Sequence, residues 1–511
     1  MSAGLDRPQL ERLRRAVARR LGLQLDDGKL DELARVATRR LSTLGSPPAD
    51  RWLEQVEAGH GPELDALAER LTVGETYFFR NWNDLRAFLG AVIPERVRAR
   101  GAERRLRILS AGCASGEEPY TLAMLVRQVP ELERWDLAIR GVDLNPAALA
   151  RAVSGRYSRW SLRQTPPELQ RRFFQQDRHE FRLVDEVRAM VRFEQANLVE
   201  GDPRIFAPAS WDVIFCRNVT MYFGREVARR VVDRLASSLA PGGFLFLGHA
   251  ETLRGLSTRF HLRQSHDTFY YQVRGEDEAE RPPPPPAPMV APDAPEAPPE
   301  RAPAEAQAPE VAWLQAIHDA SQRIAALSVS AAPSPAPPPP PAAPGHSVAR
   351  ALELFGRERF GDALSALGSP ALEEERDPDV LLLRAVLLSA GGDHAGAERV
   401  CGRILELDEL SAEAHYLLAL CREQAGDLPA AADQDRYAAY LDPTFSMPCL
   451  HLGLMAKRRG DAAAARRELS RAAVLLPAEE ASRILLLGGG FSRDALAELC
   501  RAELRASGGE T

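Results

Sequence analysis

Three Gly-Asp pairs, Gly392-Asp393, Gly426-Asp427 and Gly460-Asp461, recur at a spacing of 34 residues. Ala397, Ala431 and Ala465 keep the same spacing, as do Ala385, Ala419 and Gly453, and Pro443 and Pro477. Four registers with one period leave little freedom. Each unit has to be a pair of helices that cross where side chains are small, with a Gly-Asp turn between them. One pair cannot bury its own apolar face, so the copies stack into a superhelix with a concave side. "GRERFGDALSAL" (356–367) reads as a degenerate copy ahead of the three clear ones. Arrays of this kind bind proteins and do no chemistry, so any catalysis lies elsewhere in the 511 residues.

The period is that of tetratricopeptide repeats, which residues 346–480 resemble, with a helical tail over 481–511. The array is set apart by composition. Residues 282–344 hold 20 of the 39 prolines, which makes 275–345 an extended Pro/Ala linker without a core of its own. Within it, "VAWLQAIHDASQRIAALSVS" (311–330) places Trp313, Ile317, Ala320, Ile324 and Leu327 on one helical face. That segment reads either as a transient helix or as a docking helix for a partner or for the chain's own domains.

Ahead of the linker, residues 1–75 read as a helical domain. "PQLERLRRAVARRLGL" and "LDELARVATRRLSTL" are amphipathic, with polar faces that are mostly arginine, and residues 1–45 carry ten Lys/Arg against six Asp/Glu. The basic face is either simply solvated or a docking surface for an acidic partner. Residues 102–274 alternate strand and helix, which predicts a parallel sheet covered by helices. The predicted strands are "RLRILSAG", "DLAIRGVDLN", "WDVIFCRN" and "GGFLFLGHAE", and the predicted helices include about 117–129, "PAALARAV" and "GREVARRVVDRLASSLA". "HLRQSHDTFYYQVR" closes the unit with two short β segments, and about 156–192, with helix "PPELQRRFF" and strand-like "EFRLVDEVRAMVRF", reads as an insert.

The net charge of −7 argues against nucleic acid as a partner, and no apolar run reaches the roughly 18 residues of a membrane span. The arginine-rich start has no signal-peptide core. Six scattered cysteines without a C-x-x-C pair fit reduced thiols in a cytoplasmic protein with no structural metal.

The chemistry points to "AGCASGEEPY" (111–120), a glycine-rich loop between a buried strand and a helix. Such loops favour anions through their N–H groups and the helix dipole, yet here Glu117 and Glu118 bring negative charge. In open α/β sheets ligands bind beyond the carboxyl ends of the strands. Asp143, Asn197-Leu198 and Arg217-Asn218 fall there too, and an acid in the place of Asp143 commonly accepts from the ribose hydroxyls. A dinucleotide would bring a pyrophosphate, but the G-x-G-x-x-G fingerprint is missing. S-adenosylmethionine has no phosphate and carries a sulfonium and an ammonium, which suits a close backbone approach beside a carboxylate. Two plainer readings stay open: Glu118 as an acid favoured by the helix dipole, and Asp143 as a helix cap.

"GETYFFRN" (74–81), "SAGCASGEEPY" (110–120), "GVDLNPAAL" (141–149), "CRNVTMYF" (216–223) and "FLGHAET" (246–252) occur in this order. Over roughly residues 5–274 the chain thereby resembles the CheR-type chemoreceptor glutamate O-methyltransferases. The resemblance implies an α-helical N-terminal domain (1–75) joined to an α/β, Rossmann-like class I methyltransferase domain (76–274) with a β-subdomain insert. It implies methyl transfer from S-adenosylmethionine, leaving S-adenosylhomocysteine, to glutamates of methyl-accepting chemotaxis receptors, with the repeats recruiting a protein partner or regulating access. Matched motif by motif, Gly74, Thr76 and Arg80 would sit at the cofactor, with Arg80 near the transferring methyl. Gly112 would shape the loop, Glu117 hold the methionine ammonium and Asp143 the ribose. Asn197 and Leu198 would reach the adenine side, Arg217 and Asn218 would line the cofactor cleft, and Tyr222 would face the substrate carboxylate with Arg80.

Two departures matter. The family often has Asn at the place of Gly74, and "FFQQDRHEFRLVDEV" lacks the glycine-containing loop of members that dock on a receptor's C-terminal pentapeptide. Tethering independent of that pentapeptide is therefore expected. Other readings are a signalling scaffold that has lost activity, or a methyltransferase for another carboxylate. Intact Arg80, Glu117, Asp143 and Tyr222 argue against the first.

Overall fold

In a computed structural model the described residues are 5–59, 61–275, 348–357, 359–368 and 375–506. The chain divides into two compact units, Met1–Arg281 and Pro282–Thr511. The segment 311–330 lies outside the described residues. Among the described residues no helix is long and apolar enough to cross a membrane.

The first unit opens with four helices, α1 (Arg7–Leu21), α2 (Leu30–Thr43), α3 (Ala49–Ala58) and α4 (Pro62–Leu71). Asp6 and Gln9 form a reciprocal capping box at the start of α1, and left-handed Gly22 ends it. Leu13, Val17, Leu33, Leu41, Trp52, Leu53 and Leu67 bury one stripe of each helix against the others. Buried Glu63 accepts both arms of Arg40, at 2.9 and 2.7 Å, and the Trp52 indole N–H at 2.7 Å. Much of the basic face is spent in this way. Arg12 pairs with Glu57 and Asp50, Arg14 with Asp27, and Arg20 donates to the Glu57 carbonyl. Any basic docking surface for an acidic partner on these helices is correspondingly smaller than the sequence suggests.

A helix missed in the sequence, α5 (Trp82–Ala87), continues through a π turn into α6 (Ile93–Ala99) and leads to the sheet. The strands are β1 (Arg105–Ala111), β2 (Asp136–Asp143), β3 (Arg156–Ser158), β4 (Phe174–Asp177), β5 (Glu180–Leu183), β6 (Val191–Gln195), β7 (Trp211–Cys216), β8 (Leu239–Leu247), β9 (Phe260–Ser265) and β10 (Thr268–Val273). The main sheet runs β6-β2-β1-β7-β8-β10-β9. It is parallel as far as β8, after which the closing hairpin is antiparallel, so the sheet is mixed. The chain builds outward from β1 to β2 and β6, then crosses to β7 on the other flank. This puts the switch point, where such sheets bind ligands, between β1 and β7.

Three more helices cover the sheet: α7 (Glu117–Val126), α8 (Pro146–Ser154) and α11 (Arg225–Ser238). α7 stops short of the expected residue 129, because Pro130 forces Val129 into an extended conformation. The insert contains α9 (Pro167–Phe173), the three-stranded sheet β3-β5-β4 and the helical turn α10 (Asp185–Arg188). "EFRLVDEVRAMVRF" is therefore not one strand-like stretch. It divides into β5, α10 and β6, and Val191 onward belongs to the main sheet.

In the second unit three helical hairpins repeat: Pro378–Ala390 with His394–Leu407, Ala412–Gln424 with Leu428–Leu441, and Ser446–Arg458 with Ala462–Leu475. Gly392, Gly426 and Gly460 are left-handed, with φ of 85°, 82° and 77°. Each following aspartate caps the second helix, accepting from Gly396, Ala430 and Ala464 N–H at 2.8, 3.0 and 2.9 Å. The Gly-Asp period is thus a left-handed C-terminus followed by an N-cap. Val348–Phe355 and Phe360–Leu367 precede the three, and Ala481–Leu487 and Arg493–Ala506 follow.

Candidate functional site

A cleft of about 100 Å³ opens beyond the carboxyl ends of β1, β2, β6 and β7. Gly112 and Ala114 form one wall, Asp143 and Asn145 another, and Asn218, Val219 and Tyr222 a third. Leu21, Leu23 and Thr72–Gly74 of the N-terminal part close it, with Leu198 and Phe223 adding apolar surface. Among the described residues no lysine, arginine or histidine lines this cleft, and Asp143 is its one carboxylate.

The glycine loop reaches the cleft through tight backbone geometry. Gly112 has φ 79°, and a Cβ there would come within 2.4 Å of Val219 Cγ2. Gly116 has φ 90° and lies against Ala152 and Phe193. Ala114 is left-handed as well, and its N–H is held by Asp143 Oδ2 at 2.8 Å. The other Asp143 oxygen accepts the Asn145 N–H at 2.8 Å. Asp143 is not the helix cap: Asn145 caps α8, accepting from Ala148 N–H, while its Nδ2 donates to Thr72 Oγ1 at 3.1 Å. Burial pushes the Asp143 carboxyl above its ordinary range.

Glu117 starts α7 and is buried beneath the loop, outside the lining of the cleft, where it accepts from Ser115 Oγ at 2.8 Å. Burial raises its carboxyl pKa too. Tyr157 of β3 donates to the Ser115 carbonyl at 2.8 Å and so ties the insert to the loop.

Glu118 lies in the first turn of α7, as the sequence suggests, and has a further task there. It accepts from Ser110 Oγ at 2.6 Å and from Arg217 Nε at 2.7 Å. Arg217 is buried, does not line the cleft, and also pairs with Asp84 at 2.8 Å. Its Nη1 donates to the Arg80 carbonyl at 3.0 Å. Asp84 in turn accepts from Thr268 Oγ1 at 2.6 Å. This network anchors the strained stretch 78–81, in which Phe79 and Asn81, on either side of Arg80, have φ of 58° and 60°. The Arg80 side chain is half-buried, donates to the Glu75 carbonyl at 3.3 Å and lies 5.6 Å from the Tyr77 ring centroid. Thr76 is also half-buried, and neither residue lines the cleft.

Glu251, within "FLGHAET", had no role from the sequence. Buried, it accepts from the N–H groups of Asn218, Val219, Met221 and Gly248 and from Thr220 Oγ1, at 2.5–3.2 Å. It thereby holds Asn218 in a left-handed conformation at the cleft. Asn197 donates to the Arg20 carbonyl at 2.7 Å, so its amide is committed to the helical bundle. Tyr222 accepts the Gln24 N–H on its carbonyl at 2.9 Å, and Leu23 bridges Phe223. Of the residues marked from sequence, Gly74, Gly112, Asp143, Asn197, Leu198, Asn218 and Tyr222 share the cleft, while Thr76, Arg80, Glu117 and Arg217 do not line it.

A switch-point cleft with one carboxylate, apolar walls and no cation, beside a helix whose first turn carries Glu117 and Glu118, fits a positively charged nucleoside. Sheet order and cleft together define a class I, Rossmann-like methyltransferase. A family profile described as "CheR methyltransferase, SAM binding domain" matches residues 74–269. Chemotaxis protein methyltransferase 2 of Vibrio cholerae is 37% identical over 215 residues, 42% of this chain and 74% of that protein. The probable biofilm formation methyltransferase WspC of Pseudomonas aeruginosa is 30% identical over 465 residues, 91% of this chain and 98% of that protein. Its counterpart in Pseudomonas putida is 29% identical over 467 residues, 91% and 97% of the two chains. The chain belongs to the CheR methyltransferase family, and its cofactor is S-adenosylmethionine.

Proposed function

We propose that the chain methylates glutamate side chains of methyl-accepting chemotaxis receptors, and that the repeats recruit a protein partner. The observation that carries the catalytic part is the inventory of the cleft: one carboxylate, amides, apolar walls and no cation, beside the buried Glu117. In this reading Asp143 accepts the ribose hydroxyls, Glu117 meets the methionine ammonium, Leu198 and Asn197 flank the adenine, and Gly74, Thr76, Gly112 and Asn218 complete the surround. The bound cofactor supplies an electrophilic methyl on a sulfonium. A substrate glutamate, whose carboxyl ordinarily titrates near ~4.3, is already ionised at neutral pH, so the chain needs no general base. Its tasks are alignment and exclusion of water.

Tyr222 lies at the cleft and faces the incoming carboxylate in this proposal. Charge vanishes on methyl transfer, so a tight ion pair to the carboxylate would hold back the ground state. Arg80 therefore acts as a positioning residue, with Arg217 holding its backbone from behind. The β4–β5 hairpin turns at left-handed Arg178, without glycine, which supports docking independent of a receptor's C-terminal pentapeptide. The test is peptide mass spectrometry of a receptor incubated with the protein and S-adenosylmethionine. Methyl esters are expected on glutamates, with tail-less receptor modified as well as intact receptor. Modification of other residue types, or none, would overturn the proposal.

A further inference from the structure

The 34-residue period places the first helix of a fourth copy at about 480–492, one period on from Ser446–Arg458. The chain does something else there. A short helix, Ala481–Leu487, is followed by Gly488-Gly489-Gly490 and then by Arg493–Ala506. The short helix touches residues of more than one earlier copy. Arg483 Nη2 lies 3.0 Å from Glu413, on the first helix of the second copy, and 3.0 Å from Asp442, before the third. Its Nη1 reaches Glu479 at 3.1 Å, and its guanidinium sits 4.8 Å from the Phe445 ring centroid. The Tyr416 hydroxyl approaches the Leu487 carbonyl at 3.5 Å. Leu486 packs on the cluster containing Val380, Leu383 and Leu387, from the first helix of the first copy. These partners lie on the first helices of the copies or just before the start of one, so the short helix lies across the face that the first helices form, the concave side of such a stack.

We propose that this face is a recognition groove for a helical protein segment that presents an arginine followed by aliphatic residues three and four positions on. Residues 479–490 occupy the groove as an internal stand-in that such a partner displaces. The chemistry of the groove is selective: two of its carboxylates, Glu413 and Asp442, and the Phe445 ring converge on one guanidinium, next to an apolar floor, while Glu479 is the stand-in's own i,i+4 partner. The stand-in buries one side only: Ile484 and Leu487 are buried while Leu485 remains 54% exposed. A seven-residue helix has no stability of its own, so its order comes from the groove. Gly489 and Gly490 are left-handed, at φ 62° and 82°, with open space around them, and form a loose tether. A tethered segment acts at an effective concentration of the order of mM, so modest contacts suffice to keep out weak ligands.

The test uses the full chain and a fluorescent peptide of residues 479–490 as probe. Arg483→Glu with Leu486→Asp opens the groove, and the probe is expected to bind this variant at least tenfold tighter than it binds the unaltered chain. Adding Glu413→Arg removes that gain. Circular dichroism reports whether the repeats stay folded. A folded double variant that binds the probe no better overturns the proposal. Hydrogen exchange on the unaltered chain gives a reading that does not depend on the variant's folding. Amides of 481–487 should exchange at least tenfold faster than those of 412–424 and 446–458. Equal protection would make the segment a fixed cap and overturn the displacement.

Discussion

Replacing Arg217 by Met separates the buried clamp from the cofactor cleft. Arg217 is 8% exposed and is held between Asp84 and Glu118, at 2.8 and 2.7 Å. Removing it leaves two carboxylates facing a space that has lost its cation. Asp84 keeps Thr268 and Glu118 keeps Ser110, each at 2.6 Å, but neither donor carries charge. Breaking a buried ion pair from one side costs about 3–5 kcal/mol. At roughly 2–4 °C per kcal/mol for a unit of this size, the melting temperature should fall by about 6–20 °C. Scanning calorimetry of the full chain reads this in the transition that S-adenosylhomocysteine shifts upward, which identifies the first unit. Neutralising all three groups, Asp84→Asn with Glu118→Gln and Arg217→Met, should recover more than half of the loss. Affinity for S-adenosylhomocysteine, measured by titration calorimetry below the transition, should change less than threefold, while turnover falls because the Arg80 backbone has lost its donor. A large loss of affinity with an unchanged melting temperature would refute the clamp and return Arg217 to the cleft.

Gly112→Ala meets both a left-handed backbone and a 2.4 Å overlap with Val219, and should weaken S-adenosylhomocysteine binding at least tenfold; Gly74→Asn, whose nearest neighbour would be Arg151 at 4.0 Å, should leave melting unchanged. Burial raises the carboxyl pKa of Glu117, and of Asp143 with it, and a cationic cofactor pairs with the ionised form. Affinity should therefore be full at high pH and begin to fall, as pH drops, earlier than an ordinary carboxylate would make it; titrations from pH 8 to 5 check this, the fall should be shallower in Glu117→Gln, where Asp143 alone of the two still titrates, and an equally steep fall in that variant would sink the role of Glu117. In the repeats, His451 lies between Glu423 and Asp435 at 2.8 and 2.7 Å. Burial disfavours its charge, but the two carboxylates outweigh burial and push the imidazole up to about 10. A raised imidazole pKa stabilises fully below the unfolded value near ~6.5, and that stability is lost as pH rises through the folded one. Melting of the transition that S-adenosylhomocysteine leaves unmoved should therefore fall between pH 7 and 10, and His451→Gln should flatten the profile.

Local signals were the legible ones. The Gly-Asp period could be read because each pair is a left-handed turn and an N-cap, both set within a few residues. The strands of the sheet were readable as apolar runs ending in polar residues, and the cleft residues Gly112, Asp143 and Asn218 follow from lying just beyond them. What the sequence hid is which way neighbouring side chains face. Arg217 and Asn218 are adjacent, as are Glu117 and Glu118, yet Asn218 lines the cleft while Arg217 and Glu118 find each other across 99 residues. Long-range acids behave alike. Asp84 and Glu251 looked like ordinary polar positions, and only the fold shows that they hold the strained backbone on either side of residue 80, through Arg217, and at residue 218. The interior of the insert was blurred because β5, α10 and β6 follow one another without a glycine or proline to separate them.

Methyl transfer from S-adenosylmethionine to receptor glutamate is the proposed reaction. Its most direct measurement is incubation of the protein with tritium-methyl S-adenosylmethionine and chemotaxis receptors, followed by mild base. Label on the receptors that base releases as volatile methanol is expected, and so is its loss when Arg80 is replaced by Ala although S-adenosylhomocysteine still binds. Base-stable label, or no label with the cofactor bound, would contradict it.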